Sequence, residues 1–147
     1  MVDAATLEML GRGKIFKRSP SLMDLIALNR EGLPAAVVAE ISAQMEMDVR
    51  RIADVLSLSE RTLRRRIVGG KRLTTYQSDI ALRIARVALV AKRMFGSSQK
   101  ASAWLQTPHE ALRGDTPLDW LSTDPGTCVV SRLLEDGCDA PYTCTGN

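Results

Sequence analysis

The sequence has few aromatic residues, a single histidine and no long hydrophobic run. Phe, Trp and Tyr together make up 4% of its 147 residues. The longest apolar stretches extend over four or five residues, whereas a membrane span needs roughly 18. The first residues carry Asp3 and Glu8 and do not have the form of a secretory signal. The sequence therefore favours a cytoplasmic protein with no membrane partner.

Cysteine is also scarce, and its placement argues against both a disulfide framework and a metal site. The three cysteines, Cys128, Cys138 and Cys144, are odd in number and include no C-x-x-C pair. The only histidine, His109, lies far upstream of them. Zinc sites need compactly spaced ligands, so we predict free thiols, no metal and no cofactor.

The residue sets that carry catalysis are missing as well. His109 follows Pro108 in a predicted loop, and Glu110 beside it completes no nucleophile–base set. The glycines at 69–70 precede Lys71 but lack the strand and first glycine of a phosphate-binding loop. We therefore expect a surface histidine at position 109 and a protein that is not an enzyme.

The hydrophobic spacing is helical nearly everywhere, with no convincing alternation of β-branched residues, and it predicts an all-α fold. The length suits one ordinary domain or two small helical lobes sharing a core. Predicted helices cover 21–30, 34–47, 49–56, 60–68, 75–95, 98–106, 108–113 (or a single turn) and 126–136, with a further turn at 117–121. Segment 1–20 is expected to be loosely ordered, and 138–147 to form an irregular tail.

The longest predicted helix is apolar on most sides. Ile80, Ile84, Val87, Ala91 and Met94 recur at spacings of four and three residues. Such a helix is buried, either at the centre of a lobe or in a dimer seam, and the core position is favoured.

Charge is distributed very unevenly along the chain, whose net charge is +3. Residues 50–93 carry twelve basic and three acidic residues, a net +9, while 1–49 carry −2 and 94–147 carry −4. A concentrated basic block is typical of a nucleic-acid-binding protein, although a helical face that is simply exposed to solvent can carry the same net charge.

Residues 49–68 decide between these alternatives because they have helix-turn-helix form. Small and apolar side chains are predicted to line the inner sides of the two helices and the turn: Ile52, Ala53, Leu56, Leu58, Leu63 and Ile67. Asp48 and Ser59 can cap the two helices. Ser57 occupies a turn position at which many such motifs carry glycine.

Arginines line the outward side of the second helix. Arg61 and Arg65 point away from the buried side, with Thr62 and Arg64 on the flanks. Arginine suits the major groove because its planar fork can bind guanine, while neighbouring cations hold phosphates. We predict backbone contacts from the flanking residues Arg50, Arg51, Lys71 and Arg72.

Beyond this motif, the downstream half resembles the Xre/MbcA/ParS-type antitoxin family. The resemblance extends over roughly residues 22–137. It is carried by the run from Leu58 to Arg66, Leu73, Ser78-Asp79, Ala103-Trp104-Leu105, Pro108, Leu112-Arg113-Gly114, Thr116-Pro117-Leu118-Asp119-Trp120-Leu121, Thr123, Gly126, Val130 and Leu133-Leu134-Glu135-Asp136-Gly137.

The resemblance implies a helix-turn-helix and dimerisation domain at 21–95 and a toxin-binding domain at 96–137. It further implies a dimer that binds its own operator DNA. The second domain would cover the active-site cleft of a RES-domain toxin that consumes or modifies NAD. The acidic balance after Met94 is consistent with a basic-lined cleft in that partner.

Residue roles follow from the same resemblance. Arg61, Thr62, Arg64 and Arg65 match the recognition helix of the family. The last helix implies toxin contacts from its exposed side, at Arg132, Glu135, Asp136 and Gly137. The apolar residues Val129, Val130, Leu133 and Leu134 are better explained as core. The tryptophans Trp104 and Trp120 are expected to be structural.

Two further interpretations stay open at this level. The first is a DNA-binding transcriptional regulator with no toxin partner, whose C-terminal lobe senses or dimerises. The second is an interaction module that has lost DNA binding.

Overall fold

Helices account for nearly all regular structure in the computed structural model of the chain, which describes residues 4–11 and 21–136. These ranges contain no strand, only an isolated bridge between Pro34 and Arg72. The all-α prediction is confirmed. The helices are α1 (Ala4–Met9), α2 (Leu22–Glu31), α3 (Ala36–Met45), α4 (Val49–Val55), α5 (Glu60–Val68), α6 (Thr75–Phe95), α7 (Ser98–Leu105), α8 (Pro117–Trp120) and α9 (Asp124–Glu135), with a 3₁₀ turn at Glu110–Leu112.

Polar residues cap the starts of three helices, and two of them, Asp48 and Ser59, are the caps that the sequence analysis selected. Ser21 accepts a hydrogen bond from a backbone N–H of the first turn of α2 (3.1 Å). Asp48 does the same for α4 (3.0 Å) and Ser59 for α5 (3.1 Å). Each cap satisfies a backbone donor that the helix itself leaves unpaired, typically worth about 1 kcal/mol. The predicted starts of α2, α4 and α5 are confirmed.

The 21-residue helix α6 is the centre of the molecule. It packs against α2 and α3 as well as α1, α7 and α9, and both Ile84 and Ala88 are fully buried. The predicted core position is confirmed for these residues. Met94 is an exception at 50% exposure, because Ala91 and Phe95 occupy the inner side of the last turn.

The N-terminal segment corrects the prediction of a loosely ordered region at 1–20. Residues 4–9 form α1, which packs on α6 and α3, and both Met9 and Leu10 are buried. The Gln44 side chain donates a hydrogen bond to the carbonyl oxygen of Glu8 (2.8 Å). A helix of six residues has little stability of its own and depends on tertiary packing, which periodicity in a short segment does not reveal. Segment 12–20 lies outside the described residues.

A backbone contact joins the end of α2 to the start of α6. The N–H of Leu73 donates to the carbonyl of Leu33 (2.8 Å), and the N–H of Leu33 donates to Ser78 Oγ (2.7 Å). Gly32 has a φ of +98°, and a Cβ there would lie 1.9 Å from the carbonyl oxygen of Leu73. Only glycine fits this approach of two chain segments.

The C-terminal helices form a second layer on α6. The Trp104 ring lies 5.8 Å from the Phe95 ring and 5.1 Å from the His109 imidazole, measured between centroids. His109 is half-buried, so the prediction of a surface histidine is wrong. The reason is the 3₁₀ turn, which folds residue 109 back onto α7 instead of leaving it in an open loop.

Cys128 is disulfide-bonded, which corrects the prediction of three free thiols. Pairing depends on proximity in space, and spacing along the chain does not reveal it. The other two cysteines lie outside the described residues. Within residues 4–11 and 21–136, no helix combines the length and apolar character that crossing a bilayer requires.

Candidate functional site

The second helix of the helix-turn-helix, α5, presents arginines to solvent along its outer side. Leu63 is fully buried and anchors the inner side against the core, whereas Arg61 and Arg65 are exposed. This is the orientation predicted from the sequence. Two exposed guanidinium groups four residues apart lie on the same side of a helix. The arrangement can insert two arginine forks into a major groove.

The flanking positions of α5 are partly held by the helix itself. Arg64 Nε lies 2.9 Å from Glu60 Oε1 in an i,i+4 ion pair. Thr62 Oγ1 accepts a hydrogen bond from Ser59 Oγ (2.8 Å). An exposed ion pair of this kind is weak, so Arg64 can exchange Glu60 for a phosphate at little cost.

The turn between α4 and α5 contains a residue in a backbone conformation that glycine usually adopts. Ser57 has a φ of +57°, in the left-handed region, and the N–H of Leu58 closes the turn on the carbonyl of Ala53 (2.9 Å). A side chain at such a φ costs about 1–2 kcal/mol. The serine therefore strains the turn without changing its path.

We expect Ser57→Gly to raise the free energy of unfolding by about 0.5–1 kcal/mol, because relief of the strain exceeds the added freedom of the unfolded chain. Urea unfolding of the full chain measures the change. Ser59→Ala is the control of opposite sign, since it removes the cap of α5 and should cost about 1 kcal/mol. A Ser57→Gly chain less stable than the wild type would contradict this explanation of the turn.

The four predicted phosphate-contacting residues occupy different environments. Arg50 and Lys71 are exposed. Arg72 donates from Nη1 to the carbonyl oxygen of Gly32 (2.8 Å), which fixes its side chain beside the 32–35 loop. Arg51 turns instead toward the C-terminal helices. Its Nη2 lies 3.4 Å from Thr116 Oγ1 and 3.8 Å from Asp119 Oδ1.

The last described helix, α9, separates an apolar inner side from a polar outer side. Val130, Leu133 and Leu134 are buried, as predicted, and Val129 is half-buried. The three described residues predicted to contact a toxin are all exposed: Arg132, Glu135 and Asp136. Gly137 lies outside the described residues. The outer side of α9 is therefore available to a partner protein.

Comparison with known proteins gives the family of both parts of the chain. Residues 24–86 match the antitoxin Xre-like helix-turn-helix domain, and residues 90–136 match the antitoxin Xre/MbcA/ParS C-terminal toxin-binding domain. Over 111 residues the chain is 30% identical to an antitoxin Xre of Photorhabdus laumondii, covering 75% of each chain. The chain belongs to the Xre family of antitoxins.

Two further relatives are matched over different fractions of their own length. An antitoxin Xre of Pseudomonas putida is 39% identical over 74 residues, which span 50% of this chain but 46% of that protein. A protein of Sphingobium sp. named Prs ADP-ribosylating antitoxin is 28% identical over 129 residues, or 82% of this chain and 80% of that protein.

In this Xre-family antitoxin the two matched regions meet inside a helix. The first ends at residue 86 and the second begins at residue 90, and both positions lie within α6. The helix-turn-helix and the toxin-binding domain are therefore joined by continuous helical structure that belongs to both.

A groove that the sequence analysis missed lies beside the start of α9 in the toxin-binding domain. It is open, has a volume of about 680 Å³, and is lined by Asp115, Asp119, Trp120, Ser122, Thr123, Pro125, Gly126 and Val129. The indole Nε1–H of Trp120 donates to Asp115 Oδ2 (3.2 Å). The only signal in the sequence was the set of separated aspartates around Trp120, at 115, 119 and 124, which does not by itself predict a groove.

Metal chemistry has no support in the part of the chain that the structure describes. No cluster there brings together three or more His, Cys, Asp or Glu side chains suited to holding an ion. What the described surface offers this antitoxin is charge, hydrogen-bond donors and exposed helix faces, which are suited to recognition.

Proposed function

We propose that this Xre-family antitoxin neutralises a RES-type toxin that consumes NAD, by covering its active-site cleft, and binds its own operator DNA as a dimer. The observation that carries the proposal is one fold with two outward faces. An arginine-faced helix, α5, lies in the helix-turn-helix, and a helix with a polar outer side, α9, lies in the toxin-binding domain. The antitoxin acts by binding and has no reaction of its own.

The first part of the proposal, toxin neutralisation (the toxin arm), is supported by the exposed side of α9 and by the relatives. One relative is named for ADP-ribosylation, a modification whose ADP-ribosyl group comes from NAD. By analogy with this use of NAD, we propose that the toxin partner of this chain also consumes NAD. Arg132 and Glu135 lie three residues apart on α9 and would contact the rim of the cleft, with Asp136 and Gly137 at the end of the helix.

The second part of the proposal, operator binding (the DNA arm), is supported by α5 and the basic residues around it. One recognition helix reads only a few base pairs, so a specific operator needs two half-sites about one helical turn apart and hence two copies of the chain. The net +9 of residues 50–93 supplies the attraction to phosphates. Because the proposed toxin and operator are both inside the cell, we propose that the antitoxin acts in the cytoplasm.

Co-expression with the neighbouring open reading frame tests the toxin arm. We expect that reading frame to arrest growth and deplete NAD when expressed alone, and the wild-type antitoxin to prevent both. Charge reversal on α9, Arg132→Glu with Glu135→Arg, should restore toxicity because it replaces two complementary contacts by repulsive ones. The double variant keeps the net charge of the chain.

A matched reversal elsewhere in the same domain controls for general effects. Lys100 and Glu110 are both exposed and lie outside α9, so Lys100→Glu with Glu110→Arg should leave protection intact. Equal loss of protection by both double variants would remove α9 from the proposal. A neighbour that is harmless in every strain would remove the toxin, leaving the alternative of a transcriptional regulator that the basic helix-turn-helix also supports.

A further inference from the structure

An ion pair joins α4 of the helix-turn-helix to α8 of the toxin-binding domain. Arg51 on α4 reaches Asp119 on α8, with Nη2 at 3.8 Å from Oδ1, and the same nitrogen lies 3.4 Å from Thr116 Oγ1. Its Nη1 lies 4.0 Å from Asp54 on its own helix. The side chains of Arg51 and Asp119 are 31% and 46% exposed. Water and larger ligands can therefore reach both charges.

Asp119 divides its two carboxylate oxygens between two tasks. Oδ2 accepts a hydrogen bond from Oγ1 of Thr116 (2.7 Å), the N-cap residue of α8, and the same Oγ1 accepts the capping bond from the backbone N–H of Asp119 (3.3 Å). Oδ1 faces Arg51. The bond from the Thr116 hydroxyl needs only an oxygen acceptor on residue 119, whereas attraction to Arg51 needs the negative charge. The two tasks can therefore be separated by substitution.

Arg51 also belongs to the basic surface of the helix-turn-helix. It follows the exposed Arg50 in the first turn of α4, the helix that precedes the recognition helix. A first helix in this motif crosses the DNA backbone, where arginines bind phosphate. The guanidinium of Arg51 cannot remain against Asp119 and also turn outward to a phosphate.

We propose that Asp119 holds Arg51 away from DNA in the free antitoxin, so that the toxin-binding domain and a DNA phosphate compete for one guanidinium group. The inference rests on the proposed DNA-binding function and adds a regulatory contact to it. Any partner that neutralises Asp119 releases Arg51 to the DNA.

The sign of the coupling follows from the competition. Asp119 lines the groove beside Trp120, so a cationic side chain of the toxin that enters this groove takes the place of Arg51. Toxin binding then strengthens DNA binding, and by thermodynamic reciprocity DNA strengthens toxin binding by the same factor. Exposed ion pairs are weak, so the effect is at most about fivefold per protomer.

A double-mutant cycle with the full chain tests the competition without the toxin. The probes are two labelled duplexes, one from the region upstream of the coding sequence and one of mixed sequence, because a phosphate contact does not depend on sequence. We expect Asp119→Asn to tighten binding to both by about two- to fivefold per protomer. The slope of log affinity against log salt should steepen by about 0.9 per protomer, because one more phosphate is neutralised.

Two comparisons make the result specific to the pair. In an Arg51→Gln background, Asp119→Asn should change neither affinity nor slope. Asp115→Asn removes a neighbouring carboxylate of the same groove and has no contact with Arg51 among those described, so it should have little effect. Asparagine keeps an oxygen for Thr116, and thermal unfolding of each variant verifies the fold.

Equal effects of Asp119→Asn with and without Arg51, or of Asp115→Asn and Asp119→Asn, would overturn the inference while leaving DNA binding established. An unchanged salt slope would do the same. Failure of the wild-type chain to bind either duplex would instead overturn the DNA arm of the proposed function. As a second readout, the co-purified toxin should tighten duplex binding by the wild type and not by the Arg51→Gln chain; weakened binding would contradict the sign.

Discussion

Replacing Arg61 and Arg65 together by glutamine should weaken operator binding by at least about 100-fold. Both side chains are exposed on the outer side of α5, and a dimer would lose four of them at once. A guanidinium fork that reads a base contributes about 1–3 kcal/mol to discrimination. Electrophoretic mobility shift or fluorescence anisotropy at fixed salt measures the change. Neutralisation of the toxin should be unaffected, because α9 is unchanged.

The matched control removes the same charge from another part of the chain. Arg86 and Arg93 are exposed on α6, where they line a small cavity with Ser131 of α9. Their double replacement by glutamine should reduce affinity only a few-fold, through loss of long-range attraction. If both double variants weakened binding equally, the attraction to DNA would come from the whole basic surface, and α5 would not be a recognition helix.

Gly32→Ala should be the most destabilising of the substitutions considered, lowering the free energy of unfolding by about 3 kcal/mol or more. The added Cβ would lie 1.9 Å from the carbonyl oxygen of Leu73, which forces apart the contact between the end of α2 and the start of α6. Gly32 has a φ of 98° and a ψ of 132°, outside the left-handed helical region; a side chain in such a sparsely populated region costs about 1–3 kcal/mol, and each hydrogen bond lost adds about 1 kcal/mol. Urea unfolding followed by circular dichroism measures the loss.

Gly70→Ala is the control for a positive φ without a clash. Gly70 also has a positive φ, +63°, but a Cβ there would meet no atom within 4 Å. We expect a loss of about 1–2 kcal/mol, from the left-handed conformation alone. Similar losses for the two variants would show that the close approach at Gly32 contributes nothing to stability.

Local signals in the sequence were sufficient for most of the helix-turn-helix. Ser59 and Asp48 cap their helices as predicted, and the spacing of Leu63 relative to Arg61 and Arg65 correctly gave the buried and exposed sides of α5. These features depend on residues within one or two turns of each other. Helical periodicity and capping rules apply at that range.

Features formed by distant residues could not be predicted in the same way. Arg51 meets Asp119 across a sequence separation of 68 residues, and the sequence placed it with the phosphate-contacting residues because its neighbours are basic. The helix α1 is too short to show a helical hydrophobic period in the sequence, and it forms by packing against α6 and α3. His109 is folded onto Trp104 by a turn that a loop prediction leaves open.

The shared helix α6 couples the stability of the two matched regions. A protease needs an unfolded stretch of chain, and the boundary between the matched regions, 86–90, is helical, with Val87 and Ala88 buried. Cutting there would remove the core of both regions at once. Cleavage in α6 would therefore abolish the two proposed activities, operator binding and toxin neutralisation, together.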